Sequence, residues 1–154
     1  MGARTMSVLG VDPGATGAIA FEGKNGGLKV FRFKDKTPRE IAFAFEFANF
    51  GSRSIAYVEN VGAMPKDGKH NAFQFGFNTG FIHGILETLD FDIKLVHSQA
   101  WQRFHKLGAK FASKTDRKNA HKALAQKLFP DIKVTLDMAD AILIAVYGFN
   151  MEST

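Results

Sequence analysis

The sequence predicts an α/β fold: a mixed five-stranded sheet, three antiparallel strands followed by parallel ones, flanked by helices on both faces. Two observations predict it. The chain opens with three short apolar runs separated by tight-turn residues, the pattern of an antiparallel meander. It then alternates helix, strand, helix, strand and helices, the order that lays further strands beside the first under crossover helices. A length of 154 residues with 45% hydrophobic content suits one domain burying its own core. That domain is expected over residues 6–150, with residues 1–5 an appended tail before a native Met6.

Residues 6–12 are rich in aliphatics and read as the first strand. Residues 18–22 and 28–33 follow as short strands, and Asn25-Gly26-Gly27 supplies the positive-φ positions of a hairpin between them. At Thr37-Pro38-Arg39-Glu40 a capping box coincides with Pro at the first helical position, opening a Phe-rich helix that Gly51 stops. Residues 54–59, SIAYVE, form a strand ending in a carboxylate, and a Gly, Pro and Lys loop spans 60–69. A helix is predicted over residues 71–89, where Gly76, Gly80 and Gly84 recur every fourth position and favour close packing against a neighbour. Residues 92–97 are the fifth strand, Ser98 caps a short helix around Trp101, and residues 106–113 form a basic loop. A helix over 115–129 ends at Pro130, and DMADAILIAVYGF makes a last helix, apolar on most of its surface and so buried.

Several function classes are excluded or disfavoured. Without cysteine there is no disulfide framework, thiolate metal site or cysteine nucleophile, so any metal must be held by oxygen or imidazole. The five histidines show no paired ligand spacing, which disfavours zinc; His70 and His121 lie in basic surroundings and are candidates for phosphate contact. No apolar run reaches the roughly 18 residues of a membrane span, and no signal pattern opens the chain, so it is expected to be soluble and cytoplasmic. Charge is concentrated: residues 101–127 carry eight Lys or Arg against the single acid Asp116, a balance of +7 that leaves −2 for the rest of a chain at +5. Such a segment reads either as a polyanion-binding face or as a solvated helix face.

The stretch VLGVDPGATGAIAF leaves Asp12 three roles: turn former, neighbour of a phosphate-binding loop, or metal ligand. Glu59 also ends a strand, and if the two strands are parallel neighbours both carboxylates emerge at one sheet edge. Asp137 and Asp140, three positions apart, share a helix face. Alone, that pair reads better as N-capping plus dipole compensation. Together, four carboxylates would repel one another unless cations neutralised them, and an all-oxygen set suits magnesium or manganese. Two such ions are a known solution for phosphodiester hydrolysis, beside which a basic face would hold a nucleic-acid backbone.

VLGVDPGATGAIAF, AYVENVGAMPK and DMADAILIAVYG resemble, in order and spacing, the motifs of RuvC-like Holliday junction resolvases, in particular the short phage and poxvirus-like members. The resemblance runs from Met6 to Phe149. It implies a ribonuclease H-like fold, a homodimer, branched DNA as partner and magnesium-dependent nicking, with two Mg2+ per site and Mn2+ as a substitute. Asp12, Glu59, Asp137 and Asp140 then look like the metal-binding catalytic acids, and Lys114, Arg117 and Lys118 are candidates for the basic residue near the attacking water. Lys66, Lys69, Lys110, Lys114, Arg117, Lys118 and Lys122 are the expected DNA-binding residues. Bacterial members carry a wedging aromatic soon after the catalytic Glu; here Gly62-Ala63-Met64-Pro65 stands there, leaving Met64 or Phe73 as wedges, although Phe73 reads better as core. Trp101, Phe104 and Phe111 interleave with the basic segment and either stack on bases or, as Trp101 and Phe104 three apart suggest, bury together.

Three other functions stay in view: a ribonuclease H acting on RNA–DNA hybrids, a non-catalytic junction-binding module, and an ATPase using DPGAT as a phosphate loop. The last requires two such domains to clamp a nucleotide, more than 154 residues hold.

Overall fold

The computed structural model describes residues 6–60, 68–108 and 110–154. Their sheet has five strands in the order β3-β2-β1-β4-β5, with β1 Met6–Asp12, β2 Ala18–Glu22, β3 Leu28–Arg32, β4 Arg53–Glu59 and β5 Asp92–Val96. Strands β1, β2 and β3 pair antiparallel, while β4 runs parallel to both β1 and β5. This is the predicted mixed sheet. The β2–β3 turn places Gly26 and Gly27 at φ 79° and 78°, as the Asn-Gly-Gly signal requires.

Helix α1, Pro38–Ala48, opens on the expected box: the Thr37 hydroxyl accepts from the Glu40 amide at 3.2 Å, and the Thr37 amide donates to the Glu40 carboxylate at 2.7 Å. It ends at Asn49, two residues short of Gly51. Helix α2 spans Lys69–Thr88, α3 Ser98–Phe104, α4 Lys114–Leu128 and α5 Leu136–Glu152. Ser98 does not cap α3: it is the first helical residue and His97 occupies the cap. Among the described residues no helix is long and apolar enough to cross a membrane.

Alternate residues of the central strands divide the core in two. Leu9, Val11, Ala56 and Val58 pack with α1 and α2, whereas Val8, Ile55 and Tyr57 pack with α5. Helix α5 lies unusually deep on its face. A Cβ added to Gly10 of β1 would stand 2.2 Å from the Ala145 amide nitrogen and 2.3 Å from the Ala141 carbonyl, and one added to Gly148 would stand 2.6 Å from the Tyr57 ring. The C-terminal end of α5 is pinned where Tyr57 donates a 2.6 Å hydrogen bond to Glu152, which also pairs with Lys94 of β5. Buried residues run along α5 from Ala139 to Gly148, as its sequence predicts.

Two expectations are overturned on the opposite side. Gly76, Gly80 and Gly84 do not pack: a Cβ at each would meet nothing among the described residues within 4 Å, because α2 turns Ile82 and Leu86 inward instead. Phe73 is not core but 68% exposed, on the same outward side. Met64 and the motif Gly62-Ala63-Met64-Pro65 lie outside the described residues.

Candidate active site

Asp12 and Glu59 emerge side by side because Val11 and Val58, one residue earlier, are register partners in the parallel β1–β4 pair. Strand alternation turns both toward α5, the face that Val8 and Tyr57 share. The absence of a side chain at Gly10 lets α5 descend onto β1. That approach brings the first two turns of α5, with Asp137 and Asp140, to the same edge.

The DPGATG turn folds back tightly under Asp12. The Gly14 amide donates to the Asp12 carboxylate at 3.3 Å, the Gly17 amide donates to the Gly14 carbonyl at 2.8 Å, and a Cβ on Gly17 would strike the Asp12 carbonyl at 2.0 Å. Asp12 is thus both turn former and part of the acid group.

Electrostatics record the convergence. Asp12 is pushed up to about 6, first by burial and then by the Asp140 and Asp137 charges, with the Gly14 amide and Lys118 opposing. Glu59 is pushed up to about 7 by burial and by the charges of Asp12 and Asp140; Trp101 and Arg117 oppose. All four predicted acids therefore share one electrostatic neighbourhood. Lys118 acts on Asp12 and Arg117 on Glu59, while Lys114 is exposed at the start of α4.

Each acid also has a neutral or cationic neighbour. The Trp101 indole N–H donates to Glu59 at 3.1 Å, the Asp140 carboxylate lies 2.7 Å from Nδ1 of His121, and Arg32 of β3 stands 3.7 Å from Asp137. Asp137 and Asp140 do not cap α5, whose cap is Thr135. His121 is 1% exposed and so does not touch phosphate, because α4 packs that side of itself onto α5. Trp101 is fully buried, as its spacing to Phe104 suggests, while Phe104 packs edge-on to Tyr147 at 5.5 Å. Sequence reasoning missed Arg32 and gave Trp101 and His121 other roles, base stacking or burial for the first and phosphate contact for the second. Only His121 carried a signal: Leu124 and Ala125, three and four residues on, place it on the inward stripe of α4.

The donor set fits a hard divalent cation in chemistry and charge: four carboxylates, two of them with pKa raised first by burial and then by the charges of their neighbours. Among the described residues no three of these side chains already close on a common position that could hold an ion. The shared electrostatics, rather than ligand-grade spacing, identify the cluster. Lys69, Lys110, Lys114, Arg117 and Lys122 are exposed and Lys118 is half-buried. Lys66 lies outside the described residues.

No family model and no curated protein matches this sequence. Solved structures do. A Thermus thermophilus RuvC in complex with a Holliday junction substrate is 14% identical, with 97% of each chain covered and a TM-score of 0.61. A second Thermus thermophilus RuvC structure is 17% identical, covering 97% of this chain and 98% of that one with a TM-score of 0.56. At these identities it is the fold that is shared: the chain has the RuvC-like, ribonuclease H-like fold.

Proposed function

We propose that the protein is a divalent-metal-dependent, structure-selective DNA endonuclease that nicks four-way or related branched junctions inside the cell. The observation that carries this reading is the meeting of Asp12, Glu59 and the Asp137–Asp140 pair from three elements at one sheet edge, with the charges of Lys118 and Arg117 acting on Asp12 and Glu59. The RuvC-like fold supports it, and the similar RuvC solved in complex with a Holliday junction substrate supports branched DNA as the substrate class.

Asp12, Glu59, Asp137 and Asp140 are the residues that would hold two Mg2+, or Mn2+ in their place. When bound, such ions supply a hydroxide-like nucleophile and stabilise the leaving oxygen. The chain supplies the rest. Lys118, half-buried beside Asp12, offers its ammonium to a phosphate oxygen, and Arg117 offers a guanidinium beside Glu59. The exposed Lys69, Lys110, Lys114 and Lys122, together with Lys66, would carry the flanking backbone through charge alone, so binding should weaken steeply with salt.

Paired nicking requires two such edges. We assign the second to another copy of this chain, docked through the face where Phe43, Phe47, Phe73 and Phe77 are each more than 60% exposed and the α2 glycines lie open.

The test is a panel of labelled four-way, three-way and flap DNAs and an RNA–DNA hybrid, incubated in Mg2+ and in Mn2+. Symmetric nicks on the four-way junction are expected. Cleavage of the hybrid alone would replace this reading with ribonuclease H activity, and metal-independent binding without cleavage would reduce the protein to a junction-binding module.

A further inference from the structure

We infer that His121 and Trp101 are positioning residues: two contacting rings that brace Asp140 and Glu59 from behind and thereby set the affinity of the cluster for divalent ions. The inference rests on the reading of those acids as metal ligands.

Helix α4 is otherwise a basic, exposed helix, and it buries only His121 and Ala125. An imidazole is a costly choice for such a place, since a buried polar ring must find partners. A leucine or phenylalanine would fill the same space without that cost. The imidazole is aimed instead: Nδ1 lies 2.7 Å from the Asp140 carboxylate. An ionised carboxylate only accepts, so Nδ1 donates. Nε2 is buried with no hydrogen-bond partner among the described residues, so the ring has a single bonded orientation.

Aromatic edges hold that orientation. Trp101 meets the imidazole at 5.1 Å and 72°, and Phe111 meets it at 6.3 Å and 82°. Trp101 in turn donates its indole N–H to Glu59. One contact between α3 and α4 thus fixes two carboxylates that arise from β4 and α5. The connection that aims His121 is itself tied down: Gln126 donates to the Phe129 and Ile132 carbonyls at 3.2 and 2.7 Å and accepts from the Val134 amide at 3.1 Å. Partners of this kind orient metal ligands, and their loss typically weakens metal binding by about 10- to 100-fold.

The test is calorimetric titration of Mn2+ into the full chain, with the melting temperature of each variant recorded. His121→Phe keeps an aromatic ring and removes the donor, and should weaken Mn2+ binding by about 10- to 100-fold. His121→Asn carries an amide N–H near the position of Nδ1 and should restore most of that affinity. Trp101→Phe should weaken binding through Glu59. If His121→Phe does not fold, His121→Gln takes its place, since its longer side chain carries the amide past Asp140 toward the Nε2 position. In ¹⁵N-histidine-labelled protein, the Nδ1–H signal of His121 should be slow to exchange and should move on addition of Mg2+.

A merely structural role would make the asparagine and phenylalanine variants equal in affinity at matched melting temperature, and that result overturns the inference. So does wild-type affinity in His121→Phe or its glutamine replacement. A wild-type chain that takes up no Mn2+ overturns the reading of the acids themselves, and the brace falls with it.

Discussion

The two faces of the sheet are made from alternate residues of the same strands, yet they are finished to different degrees. On one face α5 sinks onto β1 through Gly10, is pinned at its far end by Tyr57 and Glu152, and delivers two acids to the strand ends. On the other, α1 and α2 bury Phe45, Ile82 and Leu86 but leave Phe43, Phe47, Phe73 and Phe77 largely outside, and Phe43 lines two grooves of about 520 and 560 Å³ beside α1. Small residues and hydrogen-bonded ends fix a helix to within a fraction of an ångström, which repelling carboxylates need if they are to stay together. A surface of loose phenylalanines fixes nothing within the chain. On the proposed function, the first face is organised for chemistry and the second for a partner.

The sharpest way to break that division is to remove one acid. Asp12→Asn or Glu59→Gln should reduce cleavage of a four-way junction by roughly 10³-fold or more, because the acids act as a unit, while junction binding persists. Cleavage near the wild-type level would strip the first face of its chemistry. Next comes Gly10→Val. Its Cβ would lie 2.2 Å from backbone of α5, so the helix must rise, at a cost of about 3 kcal/mol or more. Chemical denaturation measures that loss, and a variant as stable as wild type would mean that α5 is not held as tightly as its glycine contact indicates.

A third prediction uses pH. Burial and mutual repulsion raise Asp12 to about 6 and Glu59 to about 7 in the folded chain, against about 4 in unfolded peptides. Below pH 4 both states are protonated and neither group affects stability. Between pH 4 and 7 the unfolded chain ionises first, so the fold loses stability as pH rises, on the order of 3 kcal/mol per group before coupling is counted. The metal-free melting temperature should therefore fall from pH 5 to pH 8. Mg2+ should raise it more at pH 8 than at pH 5, and Glu59→Gln should flatten the slope. A wild-type curve no steeper than that of the variant would contradict the raised values.

What was legible in the sequence follows the same division. Strand periodicity, the Thr37 box, the acids that end β1 and β4 and the DMAD stretch are local signals, and they located β1 to β5, α1 and α5. The Trp101–Glu59 and Arg32–Asp137 contacts were illegible because they join residues 42 and 105 positions apart and depend on how helices settle on the sheet. His121 was hidden by Lys118 and Lys122, whose charge dominates any window around it. The α2 glycines were misread for a different reason: a four-residue spacing says that small residues share a face, not what covers that face.

That last point yields the smallest expected effect and the most direct test of the unfinished face. Alanine in place of glycine inside a helix gains about 0.5–1 kcal/mol by restricting the unfolded chain. At Gly80 and Gly84 the new methyl meets nothing among the described residues within 4 Å. At a concentration low enough for sedimentation to show only monomer, Gly80→Ala should therefore raise the melting temperature by about 1–4 °C. If a second copy packs closely over the glycines, the same methyl obstructs it. The dimer should then dissociate at lower dilution than wild type even though each monomer is more stable. A stabilised monomer with unchanged association would move the contact away from the glycines, toward Phe43 and Phe47. A destabilised monomer would mean that α2 packs inward after all.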